Sequence, residues 1–411
     1  MILIYRTLIN IIFVISPLII ILRLIKKKED LKRFKEKYGF FTKKRSEGIL
    51  LWFHGASVGE IQSIIPLLEK FEKDKRINQI LITSNTISSS KIIKKFNLKK
   101  TIHQFFPIDT DFILKKFIRY WRPSKAFFID SEIWPNTIEI LNKNKIPTIL
   151  LNARITKKSF DKWMIFSSFA KSVFGKFNLC LSSSKESEKY LKKLGASNIK
   201  FYGNLKFSQS EKDTVYLDYN LKKFINSRKS WCASSTHNTE EKVCALAHLK
   251  LKRKYKNLLT IIIPRHINRT ELIKEELNKL NLKVHLHEPK KKIPPDTDIY
   301  LVNSYGKTKS FYKIIPNVFL GGSFINHGGQ NPLEAVRYGC LVLHGPNVWN
   351  FKEIFRFLRT KNLSMRVNSQ NDLVKTLEKT LNKKTYSKKF IRNLRLVGIN
   401  ILKKTYKEIG L

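Results

Sequence analysis

The sequence predicts an α/β protein with two parallel-sheet halves behind an apolar N-terminal helix, and three observations predict it. Short apolar runs alternate with amphipathic stretches from residue 48 onward. The alternation breaks once, in a polar stretch around Ser208–Asp218, and then restarts. Ahead of both halves Thr7 to Leu22 is almost wholly apolar, bounded by Arg6 and Arg23. Apolar strands separated by helices belong to parallel sheets, whose strands are covered on both faces and carry no polar side. Length agrees: 411 residues, at about 150 per domain, give two domains or so, each able to bury a real core.

Taken in order, the first element is the N-terminal run. As a helix Thr7–Leu22 rises about 24 Å, short of a ~30 Å hydrocarbon core. Adding Ile2–Tyr5 and Leu24–Ile25 brings it to spanning length if the two arginines snorkel. Pro17 is tolerable in a membrane helix. No small-x-small cleavage site follows; the next residues are KKKEDLKRFKEKYGF, a basic stretch. By the positive-inside rule that stretch and the chain after it lie on the cytoplasmic side, and its lysines would attract anionic headgroups. Residues 1–28 are therefore expected to form a membrane anchor that spans or dips into the bilayer.

In the first half, expected as a domain over 29–210, strands are predicted in GILLWFHG, NQILITSNT, TIHQFFP, KAFFIDSE, PTILLNAR, LCLSSS and KFYGNLKF. Between them lie helices such as EIQSIIPLLEKFEKD, with Ile61, Ile64, Ile65 and Leu68 on one face. The second half, expected over 220–411, repeats the pattern with SWCASST, LLTIIIPRH, KVHLHEP, IYLVNS, NVFLGGSF, CLVLHGP and LSMRV. Its last helices, about Asn371 to Ile409, could pack back across the linker, and EPKKKIPPDTD reads as an exposed loop.

Composition narrows the function classes. The chain carries 79 Lys+Arg against 32 Asp+Glu, a net charge of +47. An apolar share of 42% excludes wholesale disorder despite that charge. The excess suggests a polyanionic partner: nucleic acid, an anionic membrane or a phosphorylated substrate. Abundant Lys, Ile, Asn and Phe also fit the drift of an AT-biased coding sequence. Cys180, Cys232, Cys244 and Cys340 are far apart with no CxxC pair, which argues against disulfides and a zinc site and fits a reducing compartment.

In open parallel sheets ligands bind beyond the carboxyl ends of the strands, and there the sequence concentrates its Gly, His, Glu and Ser. LWFHGASVGE ends the first strand; Ser57 and Glu60 form an S-x-x-E capping box, and Glu60 is a candidate general base. A helix N-terminus favours the ionised form, which keeps Glu60 deprotonated without making it strongly basic. FIDSEIWPN follows the fourth strand and leaves Glu132 at a strand end before Trp134-Pro135. GGSFINHGGQNPLEA combines a glycine turn with Asn331-Pro332 opening a helix, an anion site suited to a phosphate; Glu334 could accept from ribose hydroxyls or complete a cap. SSTHNTEE and IIIPRHINR are further junctions, where Arg265 can fork onto a phosphate as no lysine can. Two D-x-D matches, Asp109–Asp111 and Asp296–Asp298, read as a helix cap and part of the proline-rich loop, so no metal site is expected.

Together HGASVGE, SEIWPN, LNARIT, YGNLKF, SSTHNTEE, PRH, GGSFINHGGQNPLEA and HGPNVWNF resemble the 3-deoxy-D-manno-octulosonic acid (Kdo) transferases of lipopolysaccharide synthesis, in the family's order from about Leu51 to Phe351. HGASVGE with SEIWPN is the specific part; GGS…NPLEA is partly shared by other transferases of the GT-B fold. The resemblance implies that fold, two Rossmann-like domains facing a central cleft, with Glu60 as catalytic base and Glu132 as a second essential acid near the acceptor. It implies a CMP-Kdo donor held by Arg265, the Gly322-Ser323 turn, the Asn331 helix start and Glu334, with Ser235, His237, His266, Gly328 and Gly329 in the same donor site. No cofactor or metal is implied. The partners would be CMP-Kdo, an acylated, phosphorylated lipid A precursor and the anionic inner-membrane surface of a bacterium, with the catalytic domains cytoplasmic and no nucleic acid bound. The sequence departs from the family at Asn303–Thr308, where two usual acids are missing, at Ile267-Asn268 after PRH, at Gln330, where His is frequent, and at Ser208. Two rivals remain: a GT-B transferase using a UDP-sugar on another lipid, and a membrane-tethered nucleic-acid-binding protein, which would need no ordered glycine turns.

Overall fold

The computed structural model describes residues 1–209, 217–288, 292–382 and 388–410. The stretch read as a linker, and the lysines at the start of the loop EPKKKIPPDTD, fall largely outside them. The described chain forms two compact units, Met1–Ser210 with Leu396–Leu411, and Glu211–Arg395.

Unit 1 is built on seven parallel strands: β1 (Ile49–His54), β2 (Ile77–Ser84), β3 (Thr101–Phe105), β4 (Lys125–Ile129), β5 (Thr148–Ala153), β6 (Leu179–Ser182) and β7 (Ile199–Phe201). Their order is β3-β2-β1-β4-β5-β6-β7. Alternate residues feed opposite faces: Leu50, Trp52 and Phe128 join one buried cluster, Leu51, Phe53 and Phe127 the other. Of KFYGNLKF only the start is strand. Gly203 takes φ +110°, and the Asn204 side chain accepts from Lys206 N, so the chain turns into a 3-10 segment at Leu205–Ser208.

Unit 2 repeats the plan with β8 (Lys229–Thr236), β9 (Leu258–Pro264), β10 (Val284–Leu286), β11 (Ile299–Leu301), β12 (Asn317–Leu320), β13 (Leu341–His344) and β14 (Ser364–Arg366), in the order β10-β11-β9-β8-β12-β13-β14. Of the helices, α1 (Ile2–Ile25), α2 (Val58–Lys73), α3 (Asp111–Trp121), α4 (Pro135–Lys143), α5 (Glu240–Lys252), α6 (Leu333–Arg337) and α7 (Lys388–Ile409) matter below. The second half of α7 belongs to unit 1: Ile401 enters its core and Glu408 accepts from Lys200 Nζ at 2.6 Å.

Helix α1 lies along unit 1. Ser16 and Ile20 are buried, Phe13 packs edge-on against Phe112 at 5.2 Å, and the Ser16 hydroxyl meets that of Tyr38 at 2.9 Å. The opposite face, with Leu8, Ile11, Val14, Leu18 and Leu22, is at least half exposed. Of the basic stretch behind it, Lys26, Lys27, Lys28, Lys32 and Lys35 stay exposed. Lys37 and Arg33 do not serve that surface: they pair inward, with buried Glu29 at 2.6 Å and buried Glu36 at 2.8 Å.

Candidate functional site

In each sheet the chain crosses from one side of its first strand to the other, between β1 and β4 and between β8 and β12; in unit 2 the edge pair β10 and β11 is in addition inverted. Crevices at such switch points are where open parallel sheets bind ligands. HGASVGE leaves β1, SEIWPN leaves β4, SSTHNTEE leaves β8 and GGSF leaves β12, so four of the sequence-selected motifs flank the two switch points.

Unit 1 gathers carboxylates. Ser57 caps α2, and Glu60 at the third position completes the box: its Oε2 accepts from Ala56 N at 2.7 Å and its Oε1 from the Ser57 hydroxyl at 2.8 Å. The structural and chemical readings of Glu60 therefore coexist. Its acidity differs from the expectation of an ordinary ionised cap. Burial, then the charges of Glu132 and Asp130, outweigh the capping hydrogen bonds and push its carboxyl up to about 7. Glu132 is pulled the other way. Burial alone would raise it, but Oε2 accepts from His54 Nε2 at 3.1 Å and Trp134 Nε1 at 3.0 Å, and the net shift is downward. Two nearby carboxylates with separated acidities are what a base and an ionised partner require.

His54 carries that separation, and the sequence did not single it out. It is fully buried, stacks on Phe106 at 3.8 Å, and its Nδ1 meets the Thr83 hydroxyl at 3.0 Å. Its place within HGASVGE, at the last position of a buried strand, is the signal that could have found it. Asp130 supplies a third carboxylate, in a left-handed conformation (φ +61°) with Lys206 Nζ at 3.3 Å. Replacing His54 with phenylalanine keeps the stacked ring and removes the donor. Glu132 is then expected to titrate above the ordinary 4.5, because burial prevails. A carboxyl-¹³C titration reads this directly, and an unmoved Glu132 would contradict it.

In unit 2 the glycine turn is held from within. Glu240, fully buried at the start of α5, accepts four backbone N–H groups: His237 at 3.0 Å and Gly322 at 2.7 Å on Oε2, Ser323 at 3.0 Å and Phe324 at 2.9 Å on Oε1. The Gly322-Ser323 amides therefore face this carboxylate, and the turn can serve a ligand through its shape but not through these donors. Glu240 was not selected from the sequence; its spacing from His237, that of a cap residue and its third helical position, was the available sign.

The Asn331 helix start also departs from expectation. α6 runs only over Leu333–Arg337, too short to sum a useful dipole, and Asn331 Oδ1 takes the Leu333 N–H at 3.1 Å. Glu334 is part-exposed with Lys309 at 3.7 Å. Gly328, at φ +95°, admits the HGPNVWNF loop: a Cβ there would lie 2.4 Å from Asn350 Nδ2. Gly329 N donates to Gly322 O at 2.8 Å, tying the two glycine turns together.

The remaining donor candidates do converge. Ser235, left-handed at φ +54°, breaks the register of β8 against β9 two residues before His237. The His237 ring lies 5.7 Å from that of His266 and 4.4 Å from that of His327, with Gln330 Nε2 at 3.5 Å from its Nε2. Burial first, then His327, His266, Arg265 and Arg269, push His237 down to about 4, so it is neutral at pH 7. Arg269 is committed to Glu241 at 3.0 Å, whereas Arg265 and His266 are exposed. Of the D-x-D acids, Asp109 is a cap, but of α4 rather than of the helix it precedes: it accepts from Asn136 N at 3.1 Å and Thr137 N at 2.9 Å. Asp298 is buried against His248 and Lys252 rather than looped out.

Comparison with known proteins places the family and the fold. Residues 32–209 match the family model described as 3-deoxy-D-manno-octulosonic-acid transferase (kdotransferase). The chain is 30% identical over 371 residues to the 3-deoxy-D-manno-octulosonic acid transferase of Rickettsia bellii, covering 89% of this chain and 88% of that protein. It is 29% identical over 361 residues to that of Haemophilus influenzae, covering 86% and 84%. Among solved structures, UDP-GlcNAc 2-epimerase from Neisseria meningitidis bound to UDP-GlcNAc superposes with TM-score 0.59 at 14% identity, over 88% of this chain and all of that one. The glycosyltransferase of kitacinnamycin superposes with TM-score 0.54 at 10% identity, over 88% and 99%. These last two share the fold, which is of the GT-B class. By sequence the chain belongs to the 3-deoxy-D-manno-octulosonic acid (Kdo) transferases, a family of glycosyltransferases.

Proposed function

We propose that this enzyme transfers Kdo from CMP-Kdo to a hydroxyl of an acylated, phosphorylated lipid A precursor at the cytoplasmic face of a bacterial inner membrane. The observation that carries the reading is Glu60: a largely buried carboxylate with its acidity near 7, at the unit 1 switch point, beside a Glu132 held ionised. A base with that acidity can take a proton from an alcohol as its oxygen attacks, which is where general-base catalysis is effective near neutral pH.

Attack on the anomeric carbon from the side opposite CMP inverts the configuration and needs one base and no sugar–enzyme bond. The transition state is oxocarbenium-like, as in other glycosyl chemistry. The departing CMP gathers negative charge. Arg265, exposed at the end of β9, is the group free to meet it, with His266 beside it, so cationic side chains take the place of a metal. At the membrane, the exposed apolar face of α1 dips into the bilayer while Lys26–Lys28 meet anionic headgroups. The bisphosphorylated acceptor is presented at that same surface.

The test offers the purified protein CMP-Kdo with a tetra-acylated, bisphosphorylated lipid A precursor and reads the acceptor by mass spectrometry. Addition of Kdo is expected, and none from UDP-sugars. No transfer by correctly folded protein, or transfer from UDP-sugars instead, would refute the reading.

A further inference from the structure

The anchor helix is hydrogen-bonded into the frame of the acid site. α4 begins two residues after Ile133, and its N-cap residue, Trp134, contributes no side-chain cap. Its first N–H groups are taken instead by Asp109, which is almost completely buried. Asp109 in turn accepts the Tyr5 hydroxyl, from the first turns of α1, at 2.7 Å, and its own backbone oxygen accepts Asn136 Nδ2 at 2.6 Å. The next residue of α1 reaches the same helix start: Arg6 Nε donates to Asn136 Oδ1 at 3.2 Å. On the other side of the junction Trp134 Nε1 holds Glu132 Oε2. A continuous line of hydrogen bonds and four residues of backbone thus connect α1 to the carboxylate of Glu132.

Nothing in tethering explains this construction. A helix serving only to retain the protein at a membrane needs an apolar surface, and α1 has one on its exposed side. Placing a tyrosine hydroxyl on a buried carboxylate costs desolvation that only a complete set of partners offsets. The partners here are the backbone amides that fix where α4 starts, and so where the Glu132–Trp134 segment lies.

We propose that Tyr5 and Arg6 are positioning residues for the acid loop, so that α1 seated on unit 1 sets the geometry of Glu132 and a displaced α1 leaves a bound but slow enzyme. The proposal rests on Glu132 serving the transfer reaction. It also gives the bilayer a second role, since a membrane surface covering the apolar face of α1 would press the helix into its seat.

The test uses the full chain in detergent micelles, where membrane retention is irrelevant. Tyr5→Phe keeps the ring and removes the hydroxyl; Tyr219→Phe, which removes an exposed tyrosine hydroxyl in unit 2, is the control. Tyr5→Phe is expected to lower kcat five- to twenty-fold with KM for CMP-Kdo unchanged, and Tyr219→Phe to leave both alone. Combined with Glu132→Gln, Tyr5→Phe should cause little further loss, since residues acting through one group are not additive. Hydrogen exchange gives a reading independent of turnover: the Asn136 and Thr137 amides should exchange at least ten-fold faster in Tyr5→Phe. Faster exchange without transfer by the wild-type protein would refute the proposed reaction and leave the coupling standing. Unchanged exchange, or losses that simply multiply in the double variant, would overturn the coupling.

Discussion

Glu60→Gln is expected to slow Kdo transfer at least ~100-fold, the range of a lost general base, while stabilising the fold above pH 7. Glutamine keeps one acceptor oxygen for the Ala56 N–H, and its amide can donate to the Ser57 hydroxyl that the second carboxylate oxygen accepted from, so the cap of α2 survives. The stability gain follows from the direction of the shift. Glu60 titrates at about 7 in the folded chain against 4.5 ordinarily, so the folded state holds its proton more tightly. That advantage is complete below about 4.5 and is lost as pH rises to about 7. Above 7 the native protein carries a buried charge at a cost of roughly 3 kcal/mol, which a neutral glutamine removes. Urea unfolding at pH 8 and pH 4 measures this. Near-normal turnover would remove Glu60 from the mechanism, and equal stability at pH 8 would show that its charge is not strained.

Glu240→Ala should have the largest effect on stability, more than about 3 kcal/mol. It leaves the N–H groups of His237, Gly322, Ser323 and Phe324 without their acceptor, and each buried orphan costs about 1–3 kcal/mol. Unit 2 is then expected to unfold early and donor binding to vanish with the glycine turn. Glu240→Gln, which retains one acceptor oxygen, should lose less and bind CMP-Kdo weakly. Alanine tolerated within 1 kcal/mol would mean that water replaces the carboxylate and that the turn does not depend on it. Unfolding midpoints with calorimetric titration of CMP separate these outcomes.

Much of the architecture was legible because buried parallel strands are apolar along their whole length. GILLWFHG, KAFFIDSE and LLTIIIPRH contain β1, β4 and β9, and every segment read as a strand holds one. The strand order was not legible, since it depends on which helices cross which face. Strand-end chemistry was legible where glycine and proline punctuate it, as in HGASVGE and SEIWPN. Three features were hidden because their partners are distant in sequence. Asp109 caps a helix 27 residues on, His54 meets Glu132 78 residues away, and Glu240 holds a turn 82 residues away. Each lies in a motif whose local pattern suggests only a cap or a strand end. The acidity of Glu60 was misjudged for a related reason: a helix terminus is visible in sequence, whereas burial beside two other carboxylates is not.

The +47 charge, which alone left nucleic acid, membrane and phosphorylated substrate open, is better divided by the structure. Arg33 and Lys37 serve internal ion pairs, Lys26–Lys28 stand exposed at the end of the apolar helix, and Arg265 lies exposed at the end of β9, one strand from the unit 2 switch point.

The pH dependence of single-turnover Kdo transfer tests the role of Glu60 most directly. The rate should rise with pH to a plateau, with an apparent midpoint near 7 as Glu60 loses its proton. In Glu60→Gln that rise should be absent and the residual rate flat. A wild-type rate independent of pH between 5 and 8, or the same rise in Glu60→Gln, would contradict Glu60 as the base.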